Sequence, residues 1–444
     1  MSLLPSIGVI ISILLIIYLA VKGYSIVFIG PLCAIVAMLF NDMNIFEYLI
    51  TADKSYFKGL ANFVVSFSAM FMLGSILAKY MEESGAAKSI AASVLKVTGK
   101  DKPYSVLLAI FLISTILSYG GISIFVIMFA VLPMARPIFK EMNLSWSLVA
   151  IPLFLGAATF TMTMMPGTPT IQNVVPTTFL GTTVTAAPLL GILGSAAAIA
   201  FGLLFMKYEL KLATKNGEKY TDTQKISEDE VLAAEAPEVK MPNIFISLLP
   251  SILLVSILIG GSAMKIPNII LIGLLVSNVV SAILFNGYIK SHKTILNSGA
   301  EGAVMPIFFT AAAVGFGIVI TAAPGFQTIF EKILNMQTNP LVGLSIATSV
   351  ITVITGSSSA TLGIVMGTFA EQYLNMGIQP EVLHRVSAIA SSALTPTPHS
   401  GVMLAFFAMA GLSHKNAYKR FAITIAGANT LATIVVVIAA MLLY

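Results

Sequence analysis

The chain has 444 residues, of which 57% are hydrophobic and only 10% are charged. Soluble domains carry about 25% charged residues, so most of this chain cannot face water. Its formal net charge of +5 could indicate an acidic partner, but in a membrane protein such a surplus is typical of basic cytoplasmic loops. The composition indicates a protein embedded in a lipid bilayer, without a nucleic-acid partner.

Apolar stretches follow one another along the whole sequence. Examples cover residues 7–19, 26–39, 106–117, 196–206, 244–259, 269–279 and 422–443. A helix needs about 20 mostly apolar residues to cross a bilayer, and only helices and closed barrels satisfy their backbone polar groups in lipid. Continuous apolar runs lack the alternation of a barrel strand. The sequence therefore predicts an all-α polytopic membrane protein.

One polar segment divides the chain near its middle. Residues 207–242 are densely charged and poor in aromatic side chains, a composition typical of a solvent-exposed linker. The segments on either side, 1–206 and 243–444, carry similar Gly-, Ser- and Pro-rich features in the same order. We interpret them as two repeats joined by a cytoplasmic linker.

The positions of lysine and arginine indicate how the repeats are oriented. If the N-terminus lies outside, 19 of the 24 basic residues fall on the cytoplasmic side, and Arg385 is among the few outside. Residues 103–135 have basic flanks at both ends, so this segment is predicted to enter the membrane and return as a re-entrant hairpin. Residues 341–375 are its counterpart from the opposite side. The fold class is two inverted repeats, each with about five transmembrane helices, one of them broken, plus a hairpin.

Four polar stretches rich in Gly, Pro, Ser and Thr interrupt apolar segments. SYGGIS and GSSSAT form the predicted hairpin tips, and TFTMTMMPGTPTIQN and TPTPHSG break the helices predicted at 148–176 and 381–412. Such stretches can serve as kinks or as helix-packing sites. Paired interruptions in two repeats, however, favour a transport site, and the helix N-termini that they expose attract anions. The candidate substrate-binding residues are Tyr119, Gly120, Gly121, Ser123, Thr163, Gly167, Thr168, Thr170, Gln172, Asn173, Gly356, Ser357, Ser358, Ser359, Thr361, Thr395, Thr397, His399 and Ser400.

His399 is the candidate residue for proton coupling. It lies in the second broken helix, and the ordinary histidine pKa of about 6.5 suits a proton carrier. The alternative is a histidine that only orients the neighbouring backbone. The other histidines, His292, His384 and His414, fall at predicted loops. Because the sequence has no H-E-x-x-H motif, no P-loop and no cysteine pair, we predict neither an enzyme nor a bound metal or cofactor.

The motifs SYGGIS, FTMTMMPGTPTIQN, GSSSAT and AKYMEESGAAKSIA resemble those of the gluconate:proton symporter family of permeases, within the ion transporter superfamily. The resemblance runs over nearly the whole chain. It implies an inverted-repeat bundle in the bacterial inner membrane and the uptake of a small organic anion with a co-transported proton. It also implies elevator-like movement of the hairpins and a homodimer.

The sequence departs from the pattern of gluconate carriers at three places. Gly120 follows Tyr119 where those carriers have a glutamate, and Met165–Pro166 and Thr397–Pro398 replace a His–Pro and an Asn–Asp pair. A site with fewer acids and fewer hydrogen-bonding groups suits a smaller, less hydroxylated acid. The sequence is more similar to the hydroxybutyrate permease branch, which implies a short hydroxy-monocarboxylate such as 3-hydroxybutyrate, with gluconate second.

Two alternatives stay open at this point. A transporter of the same fold could be coupled to sodium, with carbonyls and hydroxyls of the broken helices as oxygen ligands. An anion channel is a different class, although two opposed hairpins fit it less well than a continuous polar stripe would.

Overall fold

The computed structural model describes residues 4–87, 89–90, 93, 96, 102–119, 124–168, 170–223, 241–264, 266, 268–334 and 338–444. Every regular element within these ranges is a helix, which confirms the predicted all-α class. Three predicted site residues, Gly120, Gly121 and Ser123, lie outside the described residues.

The helices of the first half include two short irregular turns. A π-helix, Glu47–Thr51, precedes the third α-helix, and a 3-10 helix, Trp146–Val149, precedes the sixth. The α-helices are α1 (Leu4–Val21), α2 (Ile26–Phe40), α3 (Tyr56–Glu83), α4 (Pro103–Tyr119), α5 (Ile124–Glu141), α6 (Ala150–Ala157), α7 (Phe160–Thr163), α8 (Ile171–Leu180), α9 (Pro188–Lys215) and α10 (Tyr220–Thr223).

The helices of the second half follow the polar segment. They are α11 (Ile244–Ala263), α12 (Ile269–Phe285), α13 (His292–Ala322), α14 (Pro324–Leu334), α15 (Pro340–Thr355), α16 (Ser358–Asn375), α17 (Pro380–Ala393), α18 (Gly401–Ala410) and α19 (His414–Leu443).

Within the described residues, six helical stretches are long and apolar enough to cross a membrane. They are Leu4–Val21, Glu47–Glu83, Trp146–Thr163, Pro188–Lys215, His292–Ala322 and His414–Leu443. Other apolar helices, among them α4, α15 and α18, are shorter. A straight helix of fewer than about 17 residues does not cover the hydrocarbon core, so helices such as α15 and α18 can serve as hairpin arms or halves of broken helices.

The long helices α3 and α13 pack along each other and organise the first group of helices, which also contains α1, α2, α11, α12 and α14. Glycines allow the close approach of the two backbones. A methyl group on Gly299 would lie 2.7 Å from Ile76 Cα, and one on Gly315 would lie 2.7 Å from the Tyr56 carbonyl oxygen. Small residues at helix crossings are the usual means of tight packing in membranes. We call this set the α3–α13 group.

A second set, the broken-helix group, consists of α4, α6–α9, α15–α17 and α19. Helix α9 packs along α19, α6 contacts α4 and α19, and α17 contacts α15, α16 and α19. The rings of Phe154 and Phe421, with centroids 4.6 Å apart, pack in its interior. Helices α5 and α18 lie between the two groups, because α5 packs on α3 and α18 packs on α13.

Both predicted hairpin segments fold as helix pairs, and both predicted broken helices are interrupted. Residues 103–135 correspond to α4 and α5, with α5 continuing to Glu141, and residues 341–375 correspond to α15 and α16. The first interrupted stretch runs from the 3-10 helix before α6 to the end of α8. The second consists of α17 and α18, separated by residues 394–400.

The predicted linker at 207–242 begins with helix, which corrects the sequence interpretation. Helix α9 continues through Lys215. Within this extension Glu209 is only 2% exposed, and one of its carboxylate oxygens accepts a hydrogen bond from Arg420 Nε at 3.0 Å. The charged composition suggested a solvated segment, because the sequence does not show that Arg420, 211 residues away, pairs with Glu209. Residues 224–240 of the predicted linker lie outside the described residues.

Candidate functional site

The first break separates α6 from α8 by a single helical turn, α7, and a non-helical segment. Pro166 and Gly167, the latter with a φ of +87°, prevent helix between α7 and α8. Threonine side chains satisfy the carbonyls that the break leaves free. Thr161 Oγ1 donates to the Gly156 carbonyl at 2.7 Å, and Thr170 Oγ1 donates to the Met162 carbonyl at 2.6 Å. The break is a closed, internally bonded structure.

A polar cluster anchors the far side of this break. Asn173, in the first turn of α8, donates through Nδ2 to the carbonyls of Thr168 and Val184, at 2.8 and 2.7 Å. Its Oδ1 accepts from Arg385 Nη1 at 3.0 Å and from His384 Nε2 at 3.1 Å. All three side chains are fully buried. Helices α8 and α17 are therefore joined by polar contacts beside the first break.

His384 and Arg385 correct the sequence analysis, which put His384 in a loop and Arg385 outside the membrane. Both lie in the second turn of α17, at 0% exposure. Pro380 occupies the first turn of α17, a position that proline favours. The helix therefore begins before His384 and Arg385, and both residues are part of it. The signal in the sequence was the run of polar residues His384, Ser387 and Ser391, which recur at helical spacing.

The second break is built around Gly356, which ends α15 in the left-handed conformation with a φ of +61°. A methyl group at this position would lie 3.3 Å from both Thr397 Oγ1 and Ser400 Cα and 3.5 Å from His399 Cδ2. Ser400 Oγ donates to the Gly356 carbonyl at 3.1 Å. The tip of the α15–α16 pair therefore lies directly against the stretch between α17 and α18.

Three helix N-termini meet in this region. Gln172 Nε2, in the first turn of α8, donates to Ser358 Oγ, in the first residue of α16, at 2.9 Å. The N-terminus of α18 follows Ser400, which is bonded to Gly356. Each helix N-terminus carries unpaired N–H groups and a partial positive charge. Their convergence makes the region a candidate anion-binding site.

The predicted site residues differ in whether their polar atoms are already used. Several donate to backbone carbonyls and so stabilise the breaks: Thr163, Thr170, Asn173, Thr361, Thr395 and Ser400. Thr168 Oγ1 is 3.0 Å from Thr170 Oγ1, and Ser357 Oγ is 3.2 Å from Ser359 Oγ. Tyr119 is 45% exposed, with its hydroxyl 3.5 Å from the Pro166 carbonyl.

Two polar atoms in the second break have no hydrogen-bond partner among the described residues, although both are buried. They are Thr397 Oγ1 and His399 Nδ1. His399 Nε2 lies 3.4 Å from the Ile354 carbonyl, and the Phe316 ring packs edge-on against the imidazole at 5.9 Å. A buried polar atom without a partner is costly, so these two atoms are candidates to bind a ligand or a water molecule.

Asn429, on α19, connects the two breaks and was missed by the sequence analysis. Its Nδ2 lies 3.4 Å from the Ala158 carbonyl, after the end of α6, and 3.2 Å from the Ser392 carbonyl, near the end of α17. It lies inside an otherwise apolar helix of the sequence. A single asparagine in such a run is a weak signal, because polar residues also serve in helix packing.

Similarity to known proteins shows the family of the chain. The model of the GntP family permeases matches residues 3–442. The chain is 33% identical to the uncharacterized transporter YxjC of Bacillus subtilis (strain 168), over 93% of this chain and 94% of that protein. A solved structure, the YdaH transporter of Alcanivorax borkumensis, is similar with a TM-score of 0.41 and 14% identity over 89% of each chain. The first two matches confirm the predicted family resemblance and a transporter rather than an enzyme, and the chain belongs to the GntP family of permeases.

Proposed function

We propose that this permease takes up a small hydroxy-monocarboxylate, such as 3-hydroxybutyrate or gluconate, together with a proton. The observation that carries the proposal is the convergence of three helix N-termini on the second break, next to the buried and unpartnered Thr397 Oγ1 and His399 Nδ1. Helix N-termini bind carboxylates through N–H groups and the helix dipole. Neutral donors of this kind hold an anion and still allow its release.

The position of the proton on His399 supports a coupling role. Nε2 faces the Ile354 carbonyl, which can only accept, so in the neutral ring Nε2 carries the hydrogen and Nδ1 has a free lone pair. A proton taken up at Nδ1 creates a charged donor that faces the break. A carboxylate bound there would accept a charge-assisted hydrogen bond from it. Proton and anion then raise each other's affinity, as symport requires.

We propose the membrane arrangement that follows from the sequence. Residues 1–206 and 243–444 form inverted repeats, the α4–α5 and α15–α16 pairs are re-entrant hairpins, and the polar segment between the repeats is cytoplasmic. The cell membrane of a bacterium is the proposed location and a homodimer the proposed assembly. Inverted repeats put the substrate site near the middle of the bilayer, where paired broken helices meet.

The test is uptake of radiolabelled 3-hydroxybutyrate and gluconate into proteoliposomes under a pH gradient or a sodium gradient. We expect the pH gradient to drive accumulation of at least one of the two acids. Accumulation that needs a sodium gradient would show that sodium, and not a proton, is the coupling ion. A conductance without substrate would indicate the channel alternative, and the absence of any carboxylate flux would overturn the proposed substrate class.

Substitution of His399 separates coupling from binding. We expect His399→Gln, which retains a donor toward the Ile354 carbonyl, to abolish pH-driven accumulation while exchange of labelled for unlabelled acid continues at a higher KM. His292→Gln is the matched control. His292 Nδ1 is hydrogen-bonded to the Tyr80 hydroxyl at 3.0 Å, away from the breaks, and this variant should accumulate normally. Normal accumulation by His399→Gln would remove His399 from the coupling mechanism.

A further inference from the structure

Arg385 is a buried cation whose hydrogen bonds go to neutral acceptors. The side chain is 0% exposed. Nε donates to the Ala186 carbonyl at 3.1 Å, Nη1 to the Thr163 carbonyl and Asn173 Oδ1, both at 3.0 Å, and Nη2 to the carbonyls of Ala186 and Val184 at 2.9 and 3.3 Å. These bonds use all five N–H donors of the guanidinium.

No carboxylate forms an ion pair with Arg385 within the part of the chain that the structure describes. The buried Arg420 differs, because Glu209 and Glu218 contact it at 3.0 and 2.8 Å. An unpaired charge at membrane depth is expensive and usually has a function. Carbonyl dipoles satisfy the hydrogen bonds of Arg385 but leave its net charge in place.

His384, the neighbouring titratable group, does not change this charge. Its Nε2 faces Asn173 Oδ1, which can only accept because Asn173 Nδ2 is directed at two carbonyls. Nε2 therefore carries the hydrogen, and Nδ1 accepts from the Thr182 hydroxyl at 2.8 Å. A second positive charge beside the buried guanidinium would be costly, so we assign the imidazole as neutral. The cluster of Asn173, Thr182, His384 and Arg385 has a net charge of +1.

The charge is connected to the candidate anion site through two neighbouring residues of α8. Asn173, which accepts from Arg385, follows Gln172, and Gln172 bonds to Ser358 at the N-terminus of α16. The potential of the guanidinium therefore adds to that of the helix N-termini, in surroundings of low dielectric constant. Because its donors are all in use, Arg385 acts on a substrate through this potential and through the backbone that it holds.

We propose that Arg385 is a positioning and specificity-determining residue that makes the site prefer a carboxylate over its neutral analogue. The inference rests on the proposed function, since the transported anion is the counter-charge that the described part of the chain does not supply. A residue with a structural role alone would support the binding of charged and neutral ligands equally.

The experiment compares thermal stabilisation of the purified protein by 3-hydroxybutyrate and by its uncharged amide, each titrated to a midpoint concentration. In the wild-type protein we expect the carboxylate midpoint to be the lower one. Arg385→Gln should reduce the ratio of the amide midpoint to the carboxylate midpoint about tenfold or more. Arg385→Lys, which keeps the charge, should retain most of the preference for the carboxylate. Arg136→Gln is the control. It removes the same charge from a half-buried arginine that donates to the Ala410 carbonyl.

Asn173→Asp provides a second test in case Arg385→Gln does not fold. It keeps the arginine and histidine contacts to the Oδ1 position and gives the guanidinium a counter-charge, at the cost of the two hydrogen bonds that Asn173 Nδ2 donates to the carbonyls of Thr168 and Val184. It should also abolish the preference. An unchanged midpoint ratio in Arg385→Gln, or in Asn173→Asp if the former is unfolded, would overturn the role of Arg385 and leave the proposed function intact. Failure of the wild-type protein to respond to either 3-hydroxybutyrate or gluconate would overturn the proposed function and this inference with it.

Discussion

The two helix breaks of the permease differ in whether buried polar side-chain atoms are left without a hydrogen-bond partner. At the first break, the hydroxyls of Thr161 and Thr170 and the guanidinium of Arg385 are bonded to carbonyls, and no donor of the guanidinium is left over. At the second break, Thr397 Oγ1 and His399 Nδ1 are buried without partners in the described structure. Hydrogen bonds that are complete fix a backbone, whereas unused polar atoms are available to a ligand.

This difference suggests a division of labour between two equivalent positions of the proposed repeats. In the proposed mechanism, the first break would supply a rigid wall and a positive potential, and the second would supply the groups that form hydrogen bonds with the anion and take up the proton. Apart from those at Arg385, substitutions at the first break should therefore act mainly on stability. Substitutions at the second should act mainly on transport.

The largest effect on stability is expected where α9 touches the first break. A methyl group on Gly191 would lie 2.3 Å from the Met164 carbonyl oxygen, a backbone atom that cannot move without disturbing the break. Gly191→Ala should destabilise the protein by about 3 kcal/mol, the upper range for overpacking, and should lower the melting temperature in detergent. Gly363→Ala is the control, because nothing lies within 4 Å of the added methyl group. An unchanged melting temperature for Gly191→Ala would show that the first break is not rigid.

The next effect concerns Asn429, which joins the two breaks. Asn429→Ala removes donors to the carbonyls of Ala158 and Ser392 and should cost about 2 kcal/mol, the cost of leaving buried acceptors unsatisfied. The matched control is Asn278→Ala in the α3–α13 group, where Nδ2 donates to the carbonyls of Leu73 and Leu274, both at 2.9 Å.

Both asparagine variants should lose similar stability, but Asn429→Ala alone should also lower the rate of uptake in proteoliposomes. Equal uptake by the two variants at a temperature where both are folded would mean that the link between the breaks has no part in transport.

The sequence predicted the all-α class and the interrupted segments because composition and apolar length determine them locally. It did not predict Arg385, since the rule for basic residues assumes that an arginine near a helix end faces water. It also could not separate the threonines that satisfy backbone from those open to a ligand. Thr170 and Thr397 look equivalent in the sequence, and only the position of the Met162 carbonyl beside Thr170 distinguishes them.

A smaller effect tests the geometry of the second break at Gly356. Gly356→Ala imposes a left-handed alanine, which costs about 1 kcal/mol, and also puts a methyl group 3.3 Å from Thr397 Oγ1. Gly377→Ala has the same type of conformation, with a φ of +89°, but nothing lies within 4 Å of its methyl group. Both variants should be slightly destabilised, and Gly356→Ala should additionally raise the KM for the transported acid. An equal KM for the two variants would place the substrate away from Gly356.

The smallest effect compares the two buried arginines through the pH dependence of stability. The hydrogen bonds and charge of Arg420 lower the pKa of Glu218 below its usual range. A carboxylate whose pKa is lower in the folded state stabilises it above the ordinary pKa of about 4.3, and this stability is lost as the pH falls through the lowered pKa. Glu218→Gln should therefore reduce the melting temperature near pH 7 by a small amount, and its difference from the wild-type protein should shrink below about pH 4. Glu82→Gln, in an exposed pair with Lys79, should change little at any pH, because surface ion pairs contribute little.

Arg385 has no carboxylate partner in the described chain, so Arg385→Lys should differ from the wild-type protein by the same amount at both pH values. A difference that also shrinks in acid would show that a titrating acid compensates Arg385, and the contrast between the two arginines would then be wrong.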